Sequence, residues 1–199
     1  MVNPLARQFY HRDTIEVARD MLGKILIRKM NGERLSGMIV ETEAYRAGDD
    51  PASHAFRGMT ERNKVMFGEP GHAYVYFTYG NHFCLNITAK DRLPAGAVLI
   101  RAVEPLEGLE TMLRNRNVGR ITDTTSGPGK LTKAMSITRE HDGTDVCKVG
   151  ELYVGYDIEP RKFIIRSSSR IGIANGTDKQ WRFFIRSNPY VSRKTSSKR

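Results

Sequence analysis

The stretch MIVETEAY, residues 38–45, decides how the rest of this chain is organised. Its alternating side chains are typical of a β-strand and place Glu41, Glu43 and Tyr45 on one side, about 7 Å apart at alternate positions. Most other residues of the stretch are apolar, so the strand is expected inside the fold. A buried carboxylate is costly unless it is paired or used. The stretch therefore predicts either a site for glutamate chemistry or a strand whose glutamates pair with basic side chains.

A histidine follows this strand at His54, in a loop rich in Asp, Gly, Pro and Ala. A carboxylate, an aromatic face and an imidazole would together form a pocket for a flat substrate that water attacks. The strand and the loop after it are therefore the first candidates for an active site.

The composition indicates a globular protein that binds a polyanionic partner. Its 199 residues suffice for one domain with a sizeable core, and 39% hydrophobic with 27% charged residues argue against disorder. The 32 basic and 22 acidic side chains leave a net charge of +10, which favours DNA, RNA or an anionic membrane face as the partner.

No apolar run approaches the ~20 residues that span a bilayer, and residues 1–9 show no signal peptide. We therefore expect an intracellular protein. Cys84 and Cys147 lack metal-type spacing and suit a reducing compartment, with a disulfide between them as the alternative.

The remaining pattern predicts a single α+β domain over residues 1–199, with a mainly antiparallel curved sheet flanked by helices. Asn31-Gly32 is a hairpin turn signal that pairs the central strand with its predecessor. A second hairpin is expected from strands at 73–79 and 83–88. Further expected elements are a helix from Pro105 to Arg114, a helix through Leu131 to Met135, short strands at 152–154, 163–165, 170–173 and 183–185, and a disordered basic tail at 192–199.

Three residues of these strands have open interpretations. Aromatic rings inside strands usually pack in the core. Tyr79, however, precedes the turn at 80–82, where a ring is hard to bury, and in a basic protein such a ring suits wedging between bases. Asn86, on the return strand, would either read a base edge or satisfy the neighbouring backbone. Arg101 lies in an apolar strand and needs an anion, which the glutamates or a phosphate would supply.

Other kinds of site lack their motifs. Gly127 and Lys130 suggest a phosphate loop, but Thr124 and Leu131 stand where a Walker loop needs Gly and Ser or Thr. The glycines would still present backbone amides to a nucleic-acid phosphate, or simply begin a helix. The five histidines have no metal spacing and no dinucleotide fingerprint follows a strand, so neither a metal nor a cofactor is expected.

Taken in order, these segments resemble the alkyladenine (3-methyladenine) DNA glycosylase family. The similarity runs from about residue 22 to residue 192, and the ordered set is far more specific than any one motif. The segments that carry it are VETEAY at 40–45, His54, YVY at 74–76, Tyr79-Gly80, Asn86, LIRAVEPLEG at 99–108, SGP at 126–128, Lys130-Leu131 and RIG at 170–172.

The resemblance implies a monofunctional enzyme that flips damaged purines out of duplex DNA and hydrolyses their N-glycosidic bond, which starts base excision repair. The implied substrates are alkylated or deaminated purines of the 3-methyladenine, hypoxanthine and ethenoadenine class. Glu43 would activate the attacking water, which Arg101 and the main-chain carbonyl of Ile171 would hold. No lysine is placed for a strand-cleaving lyase step. The implied partner is double-stranded DNA, with the protein acting as a monomer beside the chromosomal DNA.

The resemblance also implies a base pocket and further contacts with DNA. Tyr45 would stack on one face of the flipped base, and His54 and Tyr76 on the other, with the His54 amide donating to the base edge. Asn86 would obstruct the 2-amino group of guanine. Tyr79 would fill the hole left in the duplex, so that the second hairpin enters the DNA. The expected contacts with the DNA backbone are Thr60, Arg62, Asn81, His82, Lys130 and Gly172.

Two other functions are open on the residues alone. A sugar glycoside hydrolase would use Glu41 and Glu43 as its carboxylate pair, although the net charge of +10 disfavours it. A non-catalytic nucleic-acid-binding module would keep the basic surface and Tyr79. Such a module would need neither Glu43 nor Arg101 in a closed pocket.

Overall fold

The computed structural model describes residues 2–78, 80–156 and 161–192 of the chain. Its strands are β1 (Ile25–Met30), β2 (Glu33–Arg46), β3 (Ala73–Thr78), β4 (His82–Thr88), β5 (Gly96–Glu107), β6 (Leu152–Gly155), β7 (Ile165–Ser168) and β8 (Arg182–Ile185). Its helices are α1 (Arg7–Tyr10), α2 (Thr14–Asp20), α3 (Lys64–Phe67), α4 (Leu109–Arg116) and α5 (Pro128–Ala134), with short 3-10 turns at Ile121–Asp123 and Arg139–His141. The strands form one antiparallel sheet in the order β3-β4-β5-β2-β1-β6, with β8 beside β2 and β7 beside β8. The predicted α+β class with an antiparallel sheet is confirmed.

Strand β2 is the centre of the sheet, as the sequence of residues 38–45 predicted. It pairs with β1 over residues 33–38 and with β5 along nearly its whole length. Beyond the end of β1, residues 41–43, here called the ETE segment, pair with β8 instead. Neighbouring strands therefore cover both edges of the ETE segment, and its two glutamates are fully buried.

The ladder between β2 and β5 is irregular beside these glutamates. Its register shifts twice between residues 39 and 42 of β2, so Val40 and Arg101 have no direct partner in this ladder. A bulge of this kind bends a strand and re-aims a side chain. Arg101 reaches both Glu41 and Glu43 from this irregular position.

Both predicted hairpins are present. Asn31 and Gly32 have φ values of 50° and 76°, as in the type I′ turn that suits the twist of two paired strands. The second hairpin joins β3 and β4, with Thr78 paired to His82 next to the turn. Tyr79, which is expected to fill the hole in the duplex, lies outside the described residues.

The helix predicted over residues 105–114 starts four residues later than predicted, at Leu109. Strand β5 continues through Pro105 to Glu107, because both residues lie opposite β2 in the ladder. The Ser36 hydroxyl also donates to the Glu107 carboxylate at 2.6 Å. The chain leaves the sheet only at Gly108, whose φ of 74° suits glycine, and α4 follows. Pairing with β2 therefore outweighs the helix-start signal of the proline.

The strand predicted over residues 170–173 is wrong. These residues form a loop, and within the described ranges no backbone group of 170–175 bonds to another backbone group. The Ile171 amide donates instead to the side chain of Glu43. The strand predicted over 163–165 is shifted along the chain, since β7 begins at Ile165 and pairs with β8.

Helix α2 packs in the core against β2. The Asp13 carboxylate caps it by accepting two backbone amides of its first turn. Val17 and Ala18 are fully buried, and the Thr42 hydroxyl donates to the Ala18 carbonyl at 2.6 Å. Thr42 thus faces the helix, while the glutamates on either side of it point to the opposite face of the sheet. On that face lies a smaller apolar cluster of Ala47, Ala55, Met66, Tyr74, Ala95 and Ala97.

The C-terminal segment returns to the sheet beside the ETE segment. Ser192, where the basic tail was expected to begin, is buried, and its amide donates to Glu41 at 2.6 Å. Residues 193–199, the rest of the predicted tail, lie outside the described residues. None of the helices in the described part of the chain is long and apolar enough to cross a membrane.

Candidate active site

A cavity of about 340 Å³ lies beside the ETE segment, between the sheet and two loops. One wall comes from strands β2 to β5, and the other comes mainly from residues 51–54 and 171–175. Six of the seven residues predicted for catalysis and for the base pocket line it: Tyr45, His54, Tyr76, Asn86, Arg101 and Ile171. The fold therefore gathers these residues from distant parts of the chain into one hollow.

Glu43 lies directly behind this wall and is fully buried. One of its carboxylate oxygens accepts the Ile171 amide at 2.7 Å. The other accepts the Tyr45 hydroxyl at 2.7 Å and Arg101 Nη1 at 3.2 Å. All three donor residues line the cavity. A carboxylate has about four acceptor positions, so this arrangement leaves Glu43 able to accept one more hydrogen bond.

Arg101 links the two glutamates of the ETE segment. Its Nε donates to Glu41 at 2.8 Å, and its Nη1 donates to Glu43. Burial alone would lower the pKa of Arg101, but Glu43 and Glu41 outweigh that effect and raise the pKa above its ordinary value. The guanidinium is therefore a permanent cation, and the two glutamates supply the anion that the sequence required for a buried arginine.

Glu41 is fully occupied by hydrogen bonds within the protein. One oxygen accepts Arg182 Nε at 2.6 Å, the Ser192 hydroxyl at 2.8 Å and Arg101 Nε. The other accepts the Ser192 amide. The sequence alone allowed both glutamates to pair with basic side chains, and Glu41 does so with Arg101 and Arg182. Glu43 differs because its three donor residues line the cavity.

Tyr45 keeps its phenolic proton and one face of its ring is covered by a cation. Burial, together with the charge of Glu43, raises the pKa of Tyr45 well above its ordinary value. The hydroxyl therefore keeps its proton at neutral pH and donates to Glu43. The Arg170 guanidinium lies 4.6 Å from the centre of the ring and is not part of the cavity wall.

Three aromatic rings stand together on the other side of the cavity. His54 and Tyr76 meet edge to face with their ring centres 4.6 Å apart, and Tyr74 and Tyr76 lie 5.3 Å apart. The Tyr74 hydroxyl and His54 Nδ1 share a hydrogen bond of 2.9 Å. Burial raises the pKa of Tyr74 to about 12, whereas burial and the nearby Arg62 lower the pKa of His54. The wall is therefore aromatic and neutral at pH 7.

Asn86 presents its amide at the floor of the cavity. The residue is buried, and its Nδ2 donates to the Tyr74 carbonyl at 3.1 Å. The sequence left two roles open, base reading and satisfaction of the backbone. The hydrogen bond shows that Asn86 satisfies the Tyr74 carbonyl, and it fixes the direction of the side chain. A role in reading the base is compatible with this hydrogen bond.

The predicted DNA-backbone residues fall into two groups. Arg62 is exposed and lies 5.3 Å over the Tyr76 ring, Thr60 is exposed in the same loop, and Gly172 lines the cavity. Asn81 and His82 instead line a second hollow between the β3–β4 hairpin and α5. Lys130 sits on α5, with its Nζ 3.5 Å from Asp123. Tyr79 lies outside the described residues.

Several residues that shape the site were not singled out from the sequence. Asn63 is buried and holds its loop together, since its amide donates to the His54 and Gly58 carbonyls and accepts the Thr60 amide. Tyr74 fixes the ring of His54. The alternation of Tyr74 with Tyr76 could have revealed the second of these, because residues two apart on a strand share a face. No signal in the sequence pointed to Asn63.

Comparison with known proteins identifies the family. The family model for methylpurine-DNA glycosylase (MPG) matches residues 8–189. Three relatives named "Putative 3-methyladenine DNA glycosylase" come from Methanocella arvoryzae, Carboxydothermus hydrogenoformans and Prosthecochloris aestuarii. The first is 52% identical over 195 residues and covers 96% of each chain. The second is 46% identical, covering 96% of this chain and 99% of the relative, and the third is 47% identical, covering 94% and 90%. The chain belongs to the methylpurine-DNA glycosylase family.

Proposed function

We propose that this protein is a monofunctional DNA glycosylase, which flips alkylated or deaminated purines out of duplex DNA and hydrolyses their N-glycosidic bond. The observation that carries the proposal is the position of Glu43. Its carboxylate is buried directly behind an aromatic cavity, and three residues of the cavity wall donate to it. Membership of the family supports the same reaction class.

The proposed reaction uses one water and no covalent intermediate with the protein. Glu43 accepts the fourth hydrogen bond from this water and takes its proton as the oxygen attacks C1′ of the deoxyribose. The bond between C1′ and the base nitrogen breaks, and its electron pair leaves with the purine. A general base contributes roughly 10²–10⁴-fold to such a step. Arg101 and the Ile171 carbonyl complete the water site in this proposal.

Recognition of the base is assigned to the aromatic walls. Tyr45 stacks on one face of the flipped purine, while His54 and Tyr76 cover the other. Alkylation at N3 or N7 makes the purine cationic, and a ring face attracts a cation by ~0.5–2 kcal/mol. Because the pKa of His54 is lowered, its imidazole is neutral at pH 7 and does not repel such a base.

Selectivity between purines is assigned to Asn86. Its Nδ2 is fixed by the Tyr74 carbonyl, so the amide cannot turn aside for a bulkier base edge. A guanine-type base would place its 2-amino group against this amide, whereas adenine and hypoxanthine carry no such group. The proposed substrates are therefore 3-methyladenine, hypoxanthine and ethenoadenine.

The proposed DNA surface surrounds the mouth of the cavity. Arg62, Thr60 and Gly172 contact the backbone of the flipped nucleotide, and Asn81, His82 and Lys130 contact the duplex beside the hairpin. Tyr79 enters the gap left by the nucleotide. The net charge of +10 supports a duplex partner. We propose that the protein acts on chromosomal DNA as a monomer.

The test is incubation with duplexes that carry one hypoxanthine, one ethenoadenine or one 3-methyladenine, followed by alkaline cleavage at abasic sites. The proposal predicts strand breaks only at the lesion and only after alkali. Breaks before alkali would show a lyase step. Binding of the duplex without base release would favour a nucleic-acid-binding module, and hydrolysis of oligosaccharides instead would favour a glycoside hydrolase.

A further inference from the structure

Asp50 and Arg170 form an ion pair that is completely enclosed in the protein. Arg170 Nη1 and Nη2 each donate to one Asp50 oxygen at 2.6 Å, and neither side chain is exposed to solvent. Removing two charges from water is costly, and well-packed apolar residues often stabilise a fold equally well. Stability alone is therefore a weak reason for this pair, and its neighbours supply a better one.

The pair joins three segments that form the active site. Arg170 Nη1 also donates to the Ala44 carbonyl of β2 at 2.8 Å, and Nη2 reaches the Gly176 carbonyl at 3.4 Å. Asp50 accepts the amide of Ala52 at 3.2 Å, at the start of the turn that leads to His54. The end of β2, the His54 loop and the loop of residues 170–176 are thus tied to one buried point.

The position of the loop of residues 170–176 depends on this ion pair more than the positions of the other two segments do. Its residues 170–175 make no backbone-to-backbone hydrogen bond within the described part of the chain. Yet Ile171 places its amide 2.7 Å from the Glu43 carboxylate. The residue next to that amide is Arg170, so the ion pair anchors the loop one position away from the contact with Glu43.

Tyr45 is the second residue that the pair positions. The Arg170 guanidinium lies 4.6 Å from the centre of the Tyr45 ring and 5.2 Å from that of Trp181. Because Arg170 takes no part in the cavity wall, it supports the ring from behind. The same ring carries the hydroxyl that donates to Glu43. Two of the three donors to Glu43 therefore rest on Arg170.

We propose that Asp50 and Arg170 are a positioning pair for base excision, which holds the Tyr45 ring and the Ile171 amide at Glu43. This inference rests on the proposed glycosylase function. Neither residue touches the reacting atoms, so the pair acts through Tyr45 and Ile171. A displacement of about 1 Å at a reacting centre can slow catalysis by roughly 10²-fold, and loss of the pair is expected to slow excision by about tenfold or more.

The test replaces both members at once, in an Asp50→Leu/Arg170→Met variant that keeps the site apolar and filled. Excision of ethenoadenine is measured in single turnover at saturating protein, beside the affinity for undamaged duplex and thermal unfolding. We expect a folded protein whose affinity for undamaged duplex is within twofold of wild type and whose excision is at least tenfold slower. Excision within twofold of wild type in the folded variant would overturn the inference.

Two conservative single variants test the inference if the double variant does not fold. Arg170→Lys keeps the charge but cannot reach both Asp50 oxygens and two carbonyls, so excision should slow at unchanged affinity for undamaged duplex. The matched control is Arg7→Lys, in an ion pair with Asp145 that lies outside the cavity wall, and it should excise normally. Equal rates for the two lysine variants would refute the positioning role. A wild-type protein that releases no damaged base would instead refute the proposed function itself.

Discussion

The Ile171 amide donates to the Glu43 carboxylate at 2.7 Å, although the two residues are 128 positions apart in the chain. This contact joins the central strand to a loop that lines the cavity. Only proline at position 171 would remove this N–H, and it would also fix φ there. The position of the amide depends on what holds the loop. The contact therefore explains why residues outside the cavity should affect the chemistry of Glu43.

Glu41→Gln should damage stability more than any particular step of excision. Glu41 compensates two buried arginines, Arg101 and Arg182, and also accepts the Ser192 amide and hydroxyl. Removing one member of a buried ion pair costs roughly 3–5 kcal/mol, and the free energy of unfolding should fall by about 3 kcal/mol because the amide keeps some hydrogen bonds. Denaturant unfolding measures this change. A stable Glu41→Gln protein that binds lesion DNA without excising would show that the catalytic glutamate has been misassigned.

Tyr45→Phe should slow excision while leaving the stacking wall in place. The substitution removes the hydroxyl that donates to Glu43 at 2.7 Å and keeps the ring against Arg170. A hydrogen bond to a charged group contributes about 1.5–3 kcal/mol, so we expect single-turnover excision to fall at least about tenfold. Affinity for lesion duplex should stay near wild type. Tyr45→Ala is the comparison, since it should lose affinity as well as rate. A Tyr45→Phe enzyme as fast as wild type would mean that this hydrogen bond has no part in catalysis.

Arg62→Gln should raise the pKa of His54. Burial is the larger cause that lowers this pKa and the positive charge of Arg62 is the second, so removing the charge should bring the pKa only part of the way to its ordinary value. Because the folded-state pKa of His54 lies below the unfolded value, its contribution to stability is complete above the unfolded value. This contribution is lost as pH falls through the lowered pKa of the folded state. Titration of the imidazole by NMR measures the shift. Arg57→Gln in the same loop is the control, and an equal shift in both variants would contradict the assignment to Arg62.

The central strand could be predicted because its pattern is local. Alternation within residues 38–45 placed Glu41, Glu43 and Tyr45 on one face, and the described contacts agree. The helix expected from Pro105 was misplaced because pairing with β2 extends β5 to Glu107. Such pairing depends on residues far away in the chain, which a local pattern does not report.

The loop after β7 was misjudged for the same reason. Arg170, Ile171 and Ile173 read as a short strand, yet Arg170 and Ile171 are held by the side chains of Asp50 and Glu43. Asp50 itself lies in a loop directly after Gly48 and Asp49, and it is part of no recognisable motif. A buried ion pair between a loop aspartate and a distant arginine becomes visible only when the fold brings both residues together.

Asn86→Gly should relax the discrimination against guanine-type bases. The Asn86 amide is held by the Tyr74 carbonyl, so its removal opens space where a 2-amino group would lie. We expect excision of 7-methylguanine relative to hypoxanthine to rise by about tenfold, within the range that a single group gives in a pocket. The two lesions are compared in the same duplex sequence. If the ratio stays at the wild-type value, selectivity depends on another part of the cavity.

The most direct test of the account is single-turnover excision by Glu43→Gln on a duplex with one ethenoadenine, measured beside its affinity for the same duplex. The amide keeps the shape of the carboxylate but is too weak a base to take a proton from water. We expect excision to fall by at least about 10²-fold, the lower end of the usual contribution of a general base, while affinity stays within threefold of wild type. Excision within threefold of wild type by a folded Glu43→Gln protein would contradict the assignment of Glu43 as the base that activates water.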